Sequence, residues 1–409
     1  MTPFLQLIFL ISLILSAAKV AGYLTARLKQ PSVLGELLIG LILGPSLLDI
    51  LHWPFLTDHL LGETIHHLAE VGVLLLMFVA GLELHLSELA RNTKVSVWAG
   101  ILGVVLPVGL GYGVGIVFGF EPSAALFLGL TLGATSVSIS AQTLMEMKVL
   151  RSRVGLGLLG AAVLDDVLVI LLLSAFLALS QGSGGFGEVV WIFVRMVLFL
   201  GLSAGFGLWG LPKLTNKISH LPVSQGVLSL ALVILFLYGI AAEVIGGMAA
   251  ITGSFLAGLM FARTPEKERI ERGVGAISYG FFVPIFFVNI GLTVNARDLS
   301  AEILWLFVVI TLVAIVGKLV GAGLGARWAG FSWREATQLG AGMISRGEVG
   351  LILASVGISQ HLITRREFPA IVGMVLITTL ITPLLLRTLF TAPKPRVPKP
   401  ETLLEESQE

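Results

Sequence analysis

The sequence predicts an all-α polytopic membrane protein, and three observations carry that prediction. Of 409 residues, 56% are hydrophobic and only 12% charged, about half the charge of an average soluble chain. Thirteen apolar stretches follow one another, most of them near the roughly 20 residues a helix needs to cross a bilayer. Lysine and arginine gather in alternate connecting segments, as in a chain that crosses a membrane repeatedly.

The cores of the expected spans are 4–24, 33–51, 69–84, 95–118, 123–145, 154–178, 190–209, 223–244, 249–262, 277–293, 303–326, 335–358 and 368–386. The first lacks a positive leading segment and stays apolar past Lys19 to about Leu24, so it reads as a retained span and not as a signal peptide. Glu36 and Glu83, near the ends of the second and third, read as interfacial carboxylates or helix caps, as does Glu243 in the eighth. The fourth, seventh, eighth, tenth and thirteenth rest on apolar length alone. The ninth is short and reads as part of a longer or tilted element. The fifth, sixth, eleventh and twelfth carry polar residues at membrane depth.

With the N-terminus outside, 19 of the 26 Lys and Arg residues fall in cytoplasmic segments and only 3 (Arg297, Arg365 and Arg366) in outer ones. The remaining four (Lys19, Arg195, Lys318 and Arg346) lie within spans. A wrong number of spans would scramble this split, so the expected topology is N-terminus out and C-terminus in. Residues 391–409, rich in proline and mixed charge, read as a disordered cytoplasmic tail.

Composition also excludes classes of function. A net charge of +1 carries no nucleic-acid signature, and the absence of cysteine removes disulfides and thiolate metal sites. No GxxxxGK[ST] loop is present, so neither ATP drive nor a nucleotide-binding domain is expected, and no cofactor is implied. Two glycine patterns, Gly155–Gly160 and Gly321–Ala326, resemble dinucleotide fingerprints. They lie in apolar helices and read instead as close-packing surfaces.

The informative residues are the polar ones inside spans. Asp165 and Asp166 sit together in the sixth, where each carboxylate at mid-membrane depth costs at least about 2.5–3.5 kcal/mol. The centre of the fifth, Gly133-Ala-Thr135-Ser136-Val-Ser138, is small and hydroxyl-rich. It fits a helix that unwinds to expose carbonyls, or one whose hydroxyls bond back to the preceding turn. In the twelfth, four glycines surround Ser345, Arg346 and Glu348, and a second break with charges that offset half-helix dipoles is expected. Lys318 in the eleventh lies nine residues from Arg327, about 13 Å along a helix. That is deep for snorkelling, so pairing with a carboxylate is expected. His66, His67 and His85 read as interfacial or loop residues, and no metal cluster is foreseen.

These features recur in order. A polar break in the fifth span precedes the aspartates of the sixth; Lys318 in the eleventh precedes a polar break in the twelfth. Spans 4–6 and 11–13 would run in opposite senses. Interrupted segments in matching positions of two halves point to inverted repeats with a binding site at the midplane.

The motifs LDD (Leu164–Asp166), ATSVSIS (Ala134–Ser140), GKLVG (Gly317–Gly321) and SRGEVGLI (Ser345–Ile352), with PIFFVNIGL (Pro284–Leu292) and MFVAGLE (Met77–Glu83), together resemble the monovalent cation/proton antiporter-2 family of the sodium/proton exchanger superfamily, most closely its bacterial NapA-type members. The resemblance spans roughly residues 5–390. It implies the sodium/proton antiporter fold with two crossing discontinuous helices, in a homodimer in the bacterial inner (plasma) membrane. It implies dimerisation segments at 1–93 and 218–298, core ion-transport segments at 94–185 and 299–390, a linker helix at 186–217 and the tail at 391–409. By motif, Asp166 would carry the cation or proton and Asp165 would pair with Lys318. Thr135 would help to coordinate the cation, and Arg346 and Glu348 would stabilise the crossing.

Helical geometry adds that adjacent residues point about 100° apart, so Asp165 and Asp166 face different neighbours. The resemblance implies electrogenic exchange of Na+ or Li+ for protons by an elevator-like movement, with K+/H+ exchange or a cation channel as alternatives. An intramembrane aspartyl protease would need its aspartates on separate helices, and no enzyme is expected. The partners are the ions themselves and membrane lipid.

Overall fold

The computed structural model describes residues 1–84, 92–180, 186–295, 297, 303–364 and 366–390. The expected tail at 391–409, His85, Arg365 and the Glu348 side chain lie outside what is described. The described secondary structure is helical, and each of the thirteen expected cores falls on helix. Among the described residues, ten helices are long and apolar enough to cross a membrane, and shorter apolar helices cover Ser32–Leu43, Ala250–Phe261 and Val349–Ile358.

Local sequence explains where the bounds depart from expectation. The second helix, Ser32–Leu43, ends well before residue 51. Gly44 is followed by Pro45, whose ring disfavours helix at the preceding residue. The tenth begins earlier than expected, at Lys267, because its first part, Lys267–Ile277, is amphipathic and charged and hides from an apolar scan. It continues through a widened turn, Ser278–Phe282, into Val283–Leu292. Similar widened turns at Phe206–Gly210 and Ala242–Gly246 fall in the seventh and eighth. In place of a backbone partner, the carbonyls of Val244 and Ile245 receive Arg195. This accounts for one charge that hydropathy left inside a span.

Two sets of helices pack among themselves. In one, the fourth helix (Thr93–Val117) lies along the eleventh (Leu304–Trp328). The fourth touches the first half of the fifth and the whole sixth; the eleventh touches the first half of the twelfth and the thirteenth (Phe368–Phe390). Glycines set the closest approach. Gly321 and Gly325 leave no room for a Cβ against the backbone at Leu102 and Trp98, which assigns this glycine pattern to helix packing. In the other set, the first, second, third, eighth, ninth and tenth helices pack together. The seventh touches both the sixth and the eighth.

Glu36 is near a helix end, as expected, but its side chain does not face the surroundings. It is buried one turn into the second helix, lining a cavity with Lys19, Glu83, Gln142, Glu146 and Tyr279. Glu146 accepts the backbone N–H and the hydroxyl of Ser32, both at 2.6 Å. Its carboxylate thus serves the N-terminus of the second helix from a different span. Glu243 is exposed, as its position near a span end suggests.

Candidate functional site

The fifth span is two helices, Pro122–Gly133 and Val137–Glu146, and its interruption begins where Ala134 turns to extended backbone (ψ 152°). Thr131 and Thr143 return their hydroxyls to Phe127 and Ile139 carbonyls, so bonding to the preceding turn describes the two halves. Between them the pattern changes. The Ser136 N–H donates to the Ser345 carbonyl at 2.8 Å, and Ser140 Oγ donates to the Gly342 carbonyl at 2.5 Å. Both acceptors belong to the twelfth span.

That span is also interrupted. It starts at Trp333 with a capping box, in which Ser332 and Glu335 exchange hydrogen bonds, and ends its first half at Gly342. Helix resumes at Gly347. Gly347 has φ +41°, and a Cβ there would lie 2.5 Å from Ser136 Oγ, so glycine answers both to the backbone and to the neighbouring break. The two interruptions therefore touch.

Arg346 lies at that contact and is fully buried. Its Nη1 donates to the Ala134 carbonyl at 2.8 Å and its Nη2 to the Ala314 carbonyl at 2.9 Å. A half-helix ends in carbonyls with no helical partner and in the negative pole of its dipole. At Ala134 the guanidinium meets both.

Asp165 and Lys318 are also fully buried, with Lys318 Nζ 2.5 Å from Asp165 Oδ1. The depth of Lys318 called for a carboxylate partner, and the structure puts Asp165 there. The other carboxylate oxygen, Asp165 Oδ2, has no hydrogen-bond partner, nor do Thr135 Oγ1, Ser345 Oγ and Arg346 Nε. The Thr135 hydroxyl interacts with the Asp165 carboxyl without a hydrogen bond of normal geometry. Such oxygens are the donor type a hard cation accepts.

Asp166, the next residue, is half-buried and faces elsewhere. Its Oδ2 accepts a hydrogen bond of 2.9 Å from the Thr252 hydroxyl on the ninth helix. The two residues line a small cavity with Met77, Val137, Leu159, Val163, Ile251 and Phe255. That lining joins helices of both packed sets, so Asp166 stands at their boundary.

The predicted residues thus divide. Asp165, Lys318, Thr135 and Arg346 gather behind the crossing, whereas Asp166 stands on the other side of its helix. Sequence reasoning missed Thr252 and the Ala314 carbonyl. A hydroxyl in the short apolar helix around MAAITGSF was the one available signal for Thr252.

A model of the transmembrane sodium/hydrogen exchanger matches residues 13–392. The chain is 41% identical over 387 residues to the Na(+)/H(+)-K(+) antiporter GerN of Bacillus cereus, covering 95% of this chain and 97% of that protein. It is 35% identical to a Na(+)/H(+) antiporter of Enterococcus hirae, covering 94% and 98% of the two. Among solved structures, the sodium proton antiporter MjNhaP1 of Methanocaldococcus jannaschii matches with a TM-score of 0.66 at 17% identity, over 95% of this chain and 97% of that one, and so shares its fold. The chain belongs to the sodium/hydrogen exchanger family, as an integral multi-pass membrane transporter of monovalent cations and protons and not an enzyme.

Proposed function

We propose that the protein exchanges Na+ or Li+ for protons, electrogenically, by alternating access in which one helix set moves against the other. One observation carries this reading. Two adjacent aspartates serve different partners, Asp165 a buried lysine and Asp166 a cavity at the boundary between the sets. A symmetric two-carboxylate clamp would have them share a ligand.

In this reading Asp166 is the carrier. A carboxylate shut away from water is stable only when neutralised, by a proton or by a cation. The two compete for one group, and a site that crosses only when loaded yields exchange. Asp165 and Lys318 form the second charged element, and release of the lysine proton when Asp165 is recruited would add charge movement. Thr135, with backbone carbonyls of the fifth span's break, helps coordinate the cation, and Arg346 and Glu348 hold the crossing.

The moving core comprises 94–185 and 299–390, two inverted repeats; 1–93 and 218–298 form the dimerisation part of a homodimer, linked by 186–217. The support is the repeated packing, in which the first helix of each triad touches the first half of the broken span and the third helix. The protein spans a bacterial inner membrane thirteen times with its N-terminus outside, a reading supported by the 19 to 3 division of basic residues. K+ as the exchanged cation is a second reading, supported by the K(+) in the name of the B. cereus relative.

Purified protein in liposomes with a trapped pH dye, titrated with Na+, Li+ and K+ at set voltage, tests the proposal. Cation-dependent proton flux is expected, and Asp166→Asn is expected to abolish it. Flux retained in that variant removes Asp166 as carrier, and continuous single-channel current makes the protein a channel.

A further inference from the structure

Thr252 uses its hydroxyl unlike most buried threonines in these helices. Thr131, Thr143, Thr215, Thr311, Thr378 and Thr382 each donate to a carbonyl of their own helix. That is the usual resting place for a threonine hydroxyl in an apolar helix. Thr252 is as well buried, 3% exposed, but lies in the first turn of Ala250–Phe261. Its hydroxyl turns outward to Asp166 Oδ2 at 2.9 Å.

The bond joins two helices of different allegiance. The ninth packs on the third and the eighth, in the set read above as static. The sixth, which carries Asp166, packs on the fourth, in the set read as mobile. The walls of the cavity around the bond are otherwise apolar, from Met77, Val137 and Leu159 to Ile251 and Phe255. Sliding of one set past the other must break this hydrogen bond.

We propose that Thr252 is a positioning residue that tethers Asp166 while it is ionised and empty, and so prevents the unloaded carrier from crossing. The inference rests on the reading of Asp166 as carrier. Its physical basis is a difference in strength between states. A hydroxyl donating to a carboxylate makes a charge-assisted hydrogen bond, roughly twice as strong as one between neutral groups. A proton on Asp166 removes the charge, and a bound cation competes for the same oxygen lone pairs. Either load loosens the tether, so loading and release for movement become one event. Exchange without slippage follows, because the one state that should not cross is the state held most firmly.

The test compares two rates in liposomes loaded with radiolabelled Na+, and in parallel with Rb+ as the stand-in for K+, with voltage collapsed by a permeant anion. Release into buffer of equal cation concentration needs no empty crossing. Release into cation-free buffer at alkaline pH, where protons are scarce, requires one. Thr252→Val keeps the shape and removes the donor; the ratio of cation-free release to exchange release is expected to rise about tenfold, the worth of one hydrogen bond to a charged group. Thr252→Ser keeps the hydroxyl and is expected to retain the ratio of the parent protein. If Thr252→Val is not recovered folded, Thr252→Ala takes its place with the same expectation. An unchanged ratio without the hydroxyl, or an equal rise in the serine variant, overturns the proposal, since lost packing would slow both rates together. Failure of the parent protein to exchange cations, or exchange that survives Asp166→Asn, overturns instead the reading beneath it.

Discussion

Asp165 is closed off from solvent, so its charge has to be balanced within reach of its own side chain. Lys318 does this from the eleventh helix, and Arg346 adds a second positive charge nearby. The ion pair is worth little against an apolar pair of the same shape, because two desolvated charges are expensive to assemble. Removing one partner is another matter, since it leaves a buried charge alone. Lys318→Gln is therefore expected to destabilise the fold by about 3–5 kcal/mol, and Asp165→Asn/Lys318→Gln together to recover most of that loss. Thermal unfolding in detergent measures both. A double variant no more stable than the single one would mean that the pair has no private energetics and that Asp165 is balanced by other groups. The second carboxylate oxygen of Asp165, met by no hydrogen bond of normal geometry, shows how little spare hydrogen bonding this pocket contains.

Among the elements, the two broken spans are the parts whose chemistry is written most plainly in the residues that form them. Each break has small residues where backbone must be approached and a polar side chain where a carbonyl would otherwise go unmet. Gly347 makes this testable against Gly119. Both have positive φ, +41° and +81°, but Gly119 has open space where a Cβ would go while Gly347 faces Ser136. Gly119→Ala should cost only the left-handed backbone, about 1–2 kcal/mol. Gly347→Ala should cost more and should lower exchange as well, because it pushes on the crossing. Equal loss of thermal stability in the two variants would show that the Ser136 contact yields freely. The break in the twelfth span was legible because an arginine amid glycines has no reason to exist in an uninterrupted apolar helix, whereas the hydroxyl-rich centre of the fifth fitted a break and an unbroken helix equally well, since hydroxyls can bond back to the preceding turn. That Lys318 must meet a carboxylate was legible from its depth, but the choice of Asp165 over its neighbour came from the family resemblance. Thr252 and the burial of Glu36 were not legible, because a single threonine is at home in any membrane helix and a cavity is a property of several helices at once. The early start of the tenth helix was hidden by its own polarity, since Lys267–Ile277 offers an apolar stripe and not an apolar run.

At the scale of the whole molecule, the arrangement of contacts makes a claim about motion. If the fourth, fifth, sixth, eleventh, twelfth and thirteenth helices travel as a body, links within that body should be harmless and links across its boundary should arrest transport. The chain contains no cysteine, so introduced pairs report without interference. Val163 and Phe255 line the cavity beside Asp166 from the sixth and the ninth helices. Trp98 and Trp328, with ring centroids 6.1 Å apart, join the fourth and eleventh helices within one set. Bridging Val163→Cys/Phe255→Cys with a short thiol-reactive linker is expected to stop cation-dependent proton flux, and cleavage of the linker to restore it. Bridging Trp98→Cys/Trp328→Cys is expected to leave flux in place, because those helices keep their contacts throughout the cycle. Each single cysteine, treated with the same reagent, separates the bridge from mere modification. Flux that continues through a bridged sixth and ninth helix would rule out relative movement at Asp166 and leave exchange to local rearrangement of the two breaks. Arrest by the link between the fourth and eleventh helices would mean that the core itself flexes, and the crossing held by Arg346 would then be a hinge in place of a rigid frame.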